Sequence, residues 1–250
     1  MLELTLDTSL DLAASGARHG AGLFETIRVR SGAPLRLEAH LARLSAGAAF
    51  LGLEPPPTAE QVRGFLETRT QCSGLDQGVL RLVAVDHRLM VFLAPWQAQR
   101  PGRIALGISY HITRWSGSPL NRFKTLSYLE NLLLAREAQE RGLFEVIALN
   151  EAECLTDGGR TNLFLVKDGA VLTPRAADGA LPGIARAALL AAGLAREATL
   201  GIEDLEGAEA VFLSNALQGV VPVHAVEDGQ DTNADQPLIR AAMECLESSN

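Results

Sequence analysis

Residues 145–173 read Glu145-Val146-Ile147-Ala148-Leu149, a polar loop, then Asn162-Leu163-Phe164-Leu165-Val166-Lys167-Asp168-Gly169-Ala170-Val171-Leu172-Thr173. Apolar runs of strand length are separated by polar breaks, and Asp168-Gly169 is a hairpin signal. The breaks carry no helical period, so the strands lack the crossover helices of a purely parallel sheet. The reading is an antiparallel or mixed sheet. The same logic applies upstream, where Val79 to Val85 and Leu89 to Leu93 flank the polar turn Asp86-His87-Arg88. Further strands are expected at Met1 to Asp7, Gly22 to Val29, Pro34 to Leu37, Ile104 to Tyr110 and Ala210 to Ser214.

Helices flank these strands. Leu37, Leu41, Leu44, Ala48 and Leu51 repeat at helical spacing, and Gly52 supplies a stop. Thr58 and Gln61 have capping-box spacing at the head of a helix through about Thr70. Ser127 and Glu130 repeat that spacing before a helix that runs down to Gly142. Pro182-Gly183 opens another helix to about Ala195, and a last one starts at Pro237. The class is therefore α/β, α+β-like in that its mixed or antiparallel sheets have flanking helices. Composition shifts at Gln97-Ala98-Gln99-Arg100-Pro101-Gly102. That shift suggests a small N-terminal α/β domain over residues 1–99, a linker at 100–102 and a larger domain over 103–250.

With 47% hydrophobic and 21% charged residues, the chain can bury a proper core and is far from the disordered range. Its apolar runs fall well short of the roughly 20 residues that span a bilayer, and the acidic N-terminus does not read as a signal peptide. Cys72, Cys154 and Cys245 cannot all pair with one another and share no metal-ligand spacing. Free thiols suit a cytoplasmic location, and no metal is expected. A formal charge of −8 with scattered arginines argues against nucleic acid as a partner.

Of the 22 basic residues only Lys124 and Lys167 are lysines. Lys167 precedes the Asp-Gly turn, where any solvated residue serves. Lys124 has no such explanation, and an amine can lose its proton and form an imine where a guanidinium cannot. A chance survivor is the competing reading. Pyridoxal phosphate chemistry needs such a lysine, an anion for the pyridine nitrogen, and a phosphate cup from a helix N-terminus plus an arginine. Lys124, Asp157, the helix opening at Gly183-Ile184-Ala185, and Arg43 are candidates for these parts, with Tyr128 for the ring hydroxyl. Singly each has a plainer reading: a turn at Asp157-Gly158-Gly159, a solvated arginine, a core tyrosine, a helix that is only a helix.

Their order along the chain is more specific. Gly20-Ala21-Gly22-Leu23-Phe24-Glu25-Thr26-Ile27-Arg28, His40-Leu41-Ala42-Arg43-Leu44, Lys124-Thr125-Leu126-Ser127-Tyr128-Leu129, Asn162-Leu163-Phe164, Leu181-Pro182-Gly183-Ile184 and Ser214-Asn215-Ala216-Leu217 follow one another. Together they resemble the class IV, fold-type IV pyridoxal-phosphate family of branched-chain aminotransferases, D-amino acid aminotransferases and aminodeoxychorismate lyases. The resemblance covers about residues 16–225 and implies a two-domain fold-type IV enzyme that works as a homodimer. It makes Lys124 the Schiff-base lysine, Arg43 the phosphate arginine and Tyr128 the ring-oxygen tyrosine. Gly183, Ile184 and Ala185 match the phosphate-cup helix, and Asn215 and Ala216 the second phosphate loop. There are departures. Asp157 stands where the family usually has glutamate, one residue is missing between Lys124 and Tyr128 relative to branched-chain aminotransferases, and the region after Arg81 is short and lacks a Gly-rich run.

Lyase and transaminase share the same lysine as base, so these motifs do not separate them. Asn215-Ala216-Leu217 and Lys124 to Leu129 resemble the aminodeoxychorismate lyase pattern more than the Gly-Thr-Ala of branched-chain aminotransferases. The expected reaction converts 4-amino-4-deoxychorismate to 4-aminobenzoate and pyruvate, a step of folate biosynthesis. The alternatives are a branched-chain or D-amino acid aminotransferase and a non-catalytic homologue. The partner is then a small carboxylated amine, with Arg28, Arg81 and Arg160 as candidate carboxylate binders.

Overall fold

A computed structural model describes residues 1–11, 13–70, 74–97, 102–227 and 230–248. The chain divides into two compact units, one holding residues 1–99 together with Phe123–Tyr128, the other residues 100–122 and 129–249. A single boundary near residue 100 therefore misassigns one segment, because Phe123–Tyr128, with Lys124, clusters with the first unit. Most of the expected linker, and Cys72, lie outside the described residues.

The first unit is built on a sheet with strand order β1-β5-β4-β2-β3, formed by β1 (Glu3–Thr5), β2 (Gly22–Arg30), β3 (Ala33–Pro34), β4 (Gln77–Val85) and β5 (Arg88–Pro95). All neighbours are antiparallel except β1 and β5, which run parallel. A short helix α1 (Ser15–His19) precedes β2. Alternation along β2 sends Leu23, Glu25, Ile27 and Val29 into the core and leaves Phe24, Thr26, Arg28 and Arg30 half-buried on the other face. The helix α2 (Leu37–Leu51) packs Leu37, Leu41, Leu44 and Ala48 into that core, and ends at Gly52. In α3 (Ala59–Arg69) both halves of the expected capping box form, with Thr58 Oγ1 accepting from Gln61 N and Gln61 Oε1 from Thr58 N.

The second unit holds a mixed sheet with the path β11-β10-β9-β8-β7-β6-β14-β15. Its strands are β6 (Ala105–Thr113), β7 (Glu145–Leu149), β8 (Leu155–Gly158), β9 (Asn162–Lys167), β10 (Ala170–Pro174), β11 (Arg196–Ala198), β12 (Ala210–Asn215), β13 (Gly219–Pro222), β14 (Ala225–Val226) and β15 (Gln230–Asp231). β12 pairs with β9 and β13 off that path. Helices α4 (Leu129–Glu140), α5 (Ile184–Ala191), α6 (Ile202–Glu206) and α7 (Pro237–Ser248) complete it. Among the described residues no helix is long and apolar enough to cross a membrane.

Several local expectations change. Asp157, read as a loop residue, lies in β8 and pairs with Asn162 across a tight turn. The helix α4 starts at Leu129, which puts Tyr128 at the N-cap position and Ser127 outside it. The Ser127 hydroxyl instead lies 3.4 Å from the carbonyls of His19 and Gly20. α5 stops at Ala191 because the chain turns at Gly193, whose φ is +69°.

The β8–β9 turn is built around a buried acid. Glu145 is 0% exposed and accepts from Thr161 Oγ1 at 3.0 Å, Arg160 N at 3.1 Å and Gly159 N at 3.3 Å. Burial pushes its carboxyl above the usual range, against the pull of Arg160 and these donors. A raised native pKa contributes stability that is present below the unfolded value of 4.5 and lost as pH rises through the native one. The stability of the wild type relative to Glu145→Gln is thus expected to fall as pH climbs from about 4.5 towards neutrality. Urea midpoints across that range check it, and a flat difference would contradict the burial effect. Phe164 and Phe212 stack in the second unit with centroids 4.6 Å apart, both fully buried. Phe164→Ala is expected to cost about 3–5 kcal/mol in the same denaturation experiment.

Candidate active site

In the first unit the functional groups gather along one end of β2. Phe24 N donates to Lys124 O at 2.8 Å and Leu126 N to Gly22 O at 2.9 Å, so residues 124–126 lie along the start of that strand. Gly22 permits the approach, since a Cβ there would stand 2.6 Å from both Ala84 O and Leu126 Cδ1. This ladder turns the Lys124 side chain onto the Phe24 face of the sheet. Its Nζ donates to Tyr128 Oη at 2.7 Å and lies 4.3 Å from the Phe24 ring centroid and 4.2 Å from that of Tyr128. The two rings meet edge to face, 5.0 Å apart at 87°. The amine is thus oriented by one hydroxyl and walled by two rings. Phe24 was missed by sequence reasoning as an individual residue. The signal was its place on the half-buried face of a strand of alternating pattern.

Arg43, on α2, donates from Nε to Glu25 Oε1 at 2.8 Å and from Nη2 to Oε2 at 2.7 Å. His40 Nδ1 reaches the same Oε2 at 2.6 Å. On the opposite sheet face, register sets Thr26 against Arg81 and Arg81 against Phe92. Arg81 is exposed, and Arg28 on the same face donates to Gln77 Oε1 at 3.0 Å with its guanidinium 5.1 Å from the Trp96 ring centroid. Arg28, Arg30 and Arg81 therefore share the face that carries Phe24.

In the second unit Asp157 is 4% exposed. Its Oδ2 accepts from Leu181 N at 3.0 Å, and its Oδ1 forms an ion pair with Arg114 Nε at 3.4 Å. Arg114 in turn donates from Nη1 to Glu130 Oε2 at 3.1 Å and Asn131 Oδ1 at 3.3 Å. A buried carboxylate beside a buried guanidinium is the kind of group that can partner a protonated pyridine nitrogen. Arg114, with no signal in the sequence beyond an isolated arginine, was missed.

Beside Asp157, Asn162 Nδ2 donates to Leu181 O at 2.8 Å, which steers the chain into α5. Gly183 caps that helix without a side-chain hydrogen bond, and a Cβ on it would stand 2.0 Å from Asn162 Oδ1. Ile184 and Ala185 open the helix, whose first-turn N–H groups suit an anion. The Asn215 side chain closes its own turn, accepting from Leu217 N at 3.0 Å and Gln218 N at 2.8 Å, and Ala216 sits at the turn's head. Ser214 Oγ next to it is buried without a hydrogen-bond partner. Arg160 is used elsewhere, its Nη2 on Phe144 O at 2.8 Å and its Nε 4.0 Å from Glu145. It braces the β8–β9 turn, which leaves Arg28 and Arg81 as the carboxylate candidates. No His, Cys, Asp and Glu cluster among the described residues has metal-site geometry.

These donor sets have the chemistry that a phosphorylated pyridine aldehyde needs: a shielded amine, a fixed buried carboxylate, an uncapped helix start and an orphaned hydroxyl. Comparison with known proteins agrees. Residues 22–226 match the family described as Amino-transferase class IV. A "Putative branched-chain-amino-acid aminotransferase" of Methanocaldococcus jannaschii is 26% identical over 252 residues, covering 92% of this chain and 86% of that protein. D-alanine aminotransferase of Bacillus licheniformis is 25% identical over 268 residues, covering 97% and 92%. A crystal structure of a "Putative 4-amino-4-deoxychorismate lyase" from Legionella pneumophila superposes with a TM-score of 0.87 at 25% identity, covering 100% of this chain and 99% of that one. A solved "fold IV-transaminase" from Curtobacterium pusillum superposes on this chain with a TM-score of 0.81 at 26% identity, covering 96% and 88%, and members of the family use pyridoxal 5'-phosphate. The chain belongs to the class IV aminotransferase family of pyridoxal-phosphate enzymes.

Proposed function

We propose that this enzyme is a lyase that converts 4-amino-4-deoxychorismate to 4-aminobenzoate and pyruvate. The observation that carries this reading is the end-to-end likeness to the Legionella pneumophila protein, with neither chain holding an appreciable extra segment. The Asn215-Ala216-Leu217 wording of the β12–β13 turn supports it. So do the arginines of the Phe24 face, with Arg28 and Arg81 as the candidate binders for a substrate that carries two carboxylates.

Pyridoxal phosphate, when bound, supplies an electron sink for the bonds around the carbon that bears the substrate amine. Lys124 is the amine that holds it. Lys124 Nζ would also serve as the base that moves the proton beside the substrate's amine. Tyr128 Oη, at 2.7 Å, orients Nζ and accepts from it, while the Phe24 and Tyr128 rings keep water from its flanks. Asp157, which pairs with Arg114 Nε at 3.4 Å, would face the pyridine nitrogen. Its position on β8 is fixed by the hydrogen bond from Leu181 N. Arg43, the first turn of α5 from Gly183 to Ala185, and the Asn215-Ala216 turn with Ser214 are the groups that would hold the phosphate. Loss of pyruvate leaves an aromatic ring, which drives the reaction forward.

An amino-acid transaminase is the second reading, favoured by the identity to branched-chain and D-alanine aminotransferases. A homodimer belongs to the same proposal. Leu129, Leu132 and Leu133 on α4 are 66%, 61% and 40% exposed, a leucine stripe that a second copy would cover.

Pyruvate and 4-aminobenzoate are expected in equal amounts from 4-amino-4-deoxychorismate, with release abolished by borohydride reduction. Conversion of an amino acid to its keto acid with neither product would establish the transaminase instead. Lys124→Ala is expected to lower turnover at least about 10³-fold, and full activity in that variant would end the catalytic assignment. Leu132→Arg is expected to halve the mass found by light scattering. A wild type that is already monomeric would refute the dimer.

A further inference from the structure

Two residues in the segments that identify the family, Glu25 and His40, have no part in the mechanism above. Glu25 occupies a core position of β2, between Leu23 and Ile27, and is 1% exposed. A buried carboxylate is unfavourable unless well paired, and an apolar residue in such a place is often as stable or more so. Its presence at a core position therefore calls for a reason other than stability. The helix α2 crosses this face of the sheet and presents His40 and Arg43 one turn apart. Glu25 Oε2 takes His40 Nδ1 at 2.6 Å and Arg43 Nη2 at 2.7 Å, and Oε1 takes Arg43 Nε at 2.8 Å. Burial pushes the Glu25 carboxyl up, but the hydrogen bonds from His40 and Arg43 outweigh it and hold the group ionised. Burial likewise keeps His40 below its ordinary range despite Glu25, so a neutral imidazole donates from Nδ1.

We infer that Glu25, backed by His40, is a positioning residue that fixes the Arg43 guanidinium for the cofactor phosphate and so sets the preference for phosphorylated over dephosphorylated cofactor. The inference rests on Arg43 as the phosphate arginine. A guanidinium is planar, so a carboxylate that grips its Nε–Nη2 edge also fixes the direction of the Nη1 edge. The rotamer freedom of a long side chain is then lost on folding and not on binding. Glu25 also cancels part of the Arg43 charge, which opposes phosphate binding. Direction outweighs this because the contacts to phosphate are made at hydrogen-bond range, where alignment decides their strength.

The test is the ratio of dissociation constants for pyridoxal and pyridoxal 5'-phosphate, measured by absorbance on full-length apoprotein. Glutamine offers one acceptor where two oxygens took three donors. The ratio is therefore expected to fall about tenfold or more in Glu25→Gln, and by less in Glu25→Asp, while the pyridoxal constant stays near wild type. A merely structural role would weaken both ligands alike and leave the ratio unchanged. An unchanged or larger ratio in Glu25→Gln overturns the inference, and Glu25→Asp decides it if the glutamine variant does not fold. Arg43→Met separates the two levels. If its ratio stays at wild type, Arg43 is not the phosphate residue and both statements fall. If it collapses while the Glu25 variants keep theirs, only the role of Glu25 fails.

Discussion

Two backbone hydrogen bonds, from Phe24 N to Lys124 O and from Leu126 N to Gly22 O, hold residues 124–126 against the start of β2. Without them Lys124 would sit in a polar connection with many accessible conformations. With them its backbone is part of a sheet, Thr125 is buried, and the amine meets Phe24 on one side and Tyr128 on the other. An amine that must lose a proton and act as a base gains from fixed direction and from apolar walls, since both raise the fraction of time it spends in a reactive geometry. The ladder forms only because Gly22 has no side chain to fill the space that Leu126 occupies.

A second device recurs in both units: a buried carboxylate that organises backbone or a cation around itself. Glu25 grips α2 through His40 and Arg43. Glu145 ties the turn from Gly159 to Thr161. Asp157 holds Leu181 N and stands beside Arg114. Each acid is expensive to bury alone; Glu25 and Glu145 are met by three donors each, and Asp157 by Leu181 N and the Arg114 ion pair. The donors are thereby fixed as firmly as the acid. In this way polar groups inside each unit fix a helix to a strand in one case and hold turns in the others.

The shared chemistry of lyases and transaminases follows from the same arrangement. In the proposed function a lysine as base, a partner for the ring nitrogen and a phosphate anchor hold a cofactor that would supply the electron sink, and none of these chooses between the outcomes. Choice lies with the groups that meet the rest of the substrate. Arg28 and Arg81 stand on one sheet face because β2 and β4 are in register with Thr26 opposite Arg81. A change of one residue in that register would turn one of them into the core.

Much of the first unit was legible in its sequence. The capping box at Thr58 and Gln61, the hairpin around Asp86, and the helix from Leu37 to the stop at Gly52 are local signals, each decided by residues within a few positions of one another. Composition reduced the lysines to two and pointed at Lys124, and the ordered segments pointed at the family and its cofactor. The sequence could not reveal that Phe123–Tyr128 belongs with β2, about a hundred residues earlier, or that Asp157 is a strand residue. Nor could it reveal that Arg114, Glu25 and His40 surround the groups it nominated, while Arg160 braces a turn. Local propensity and periodicity act over a few residues, whereas a buried ion pair exists only where packing brings distant residues together. The residue types the chemistry needs were therefore set by the sequence alone, and their partners, exposure and charge were decided by the tertiary structure.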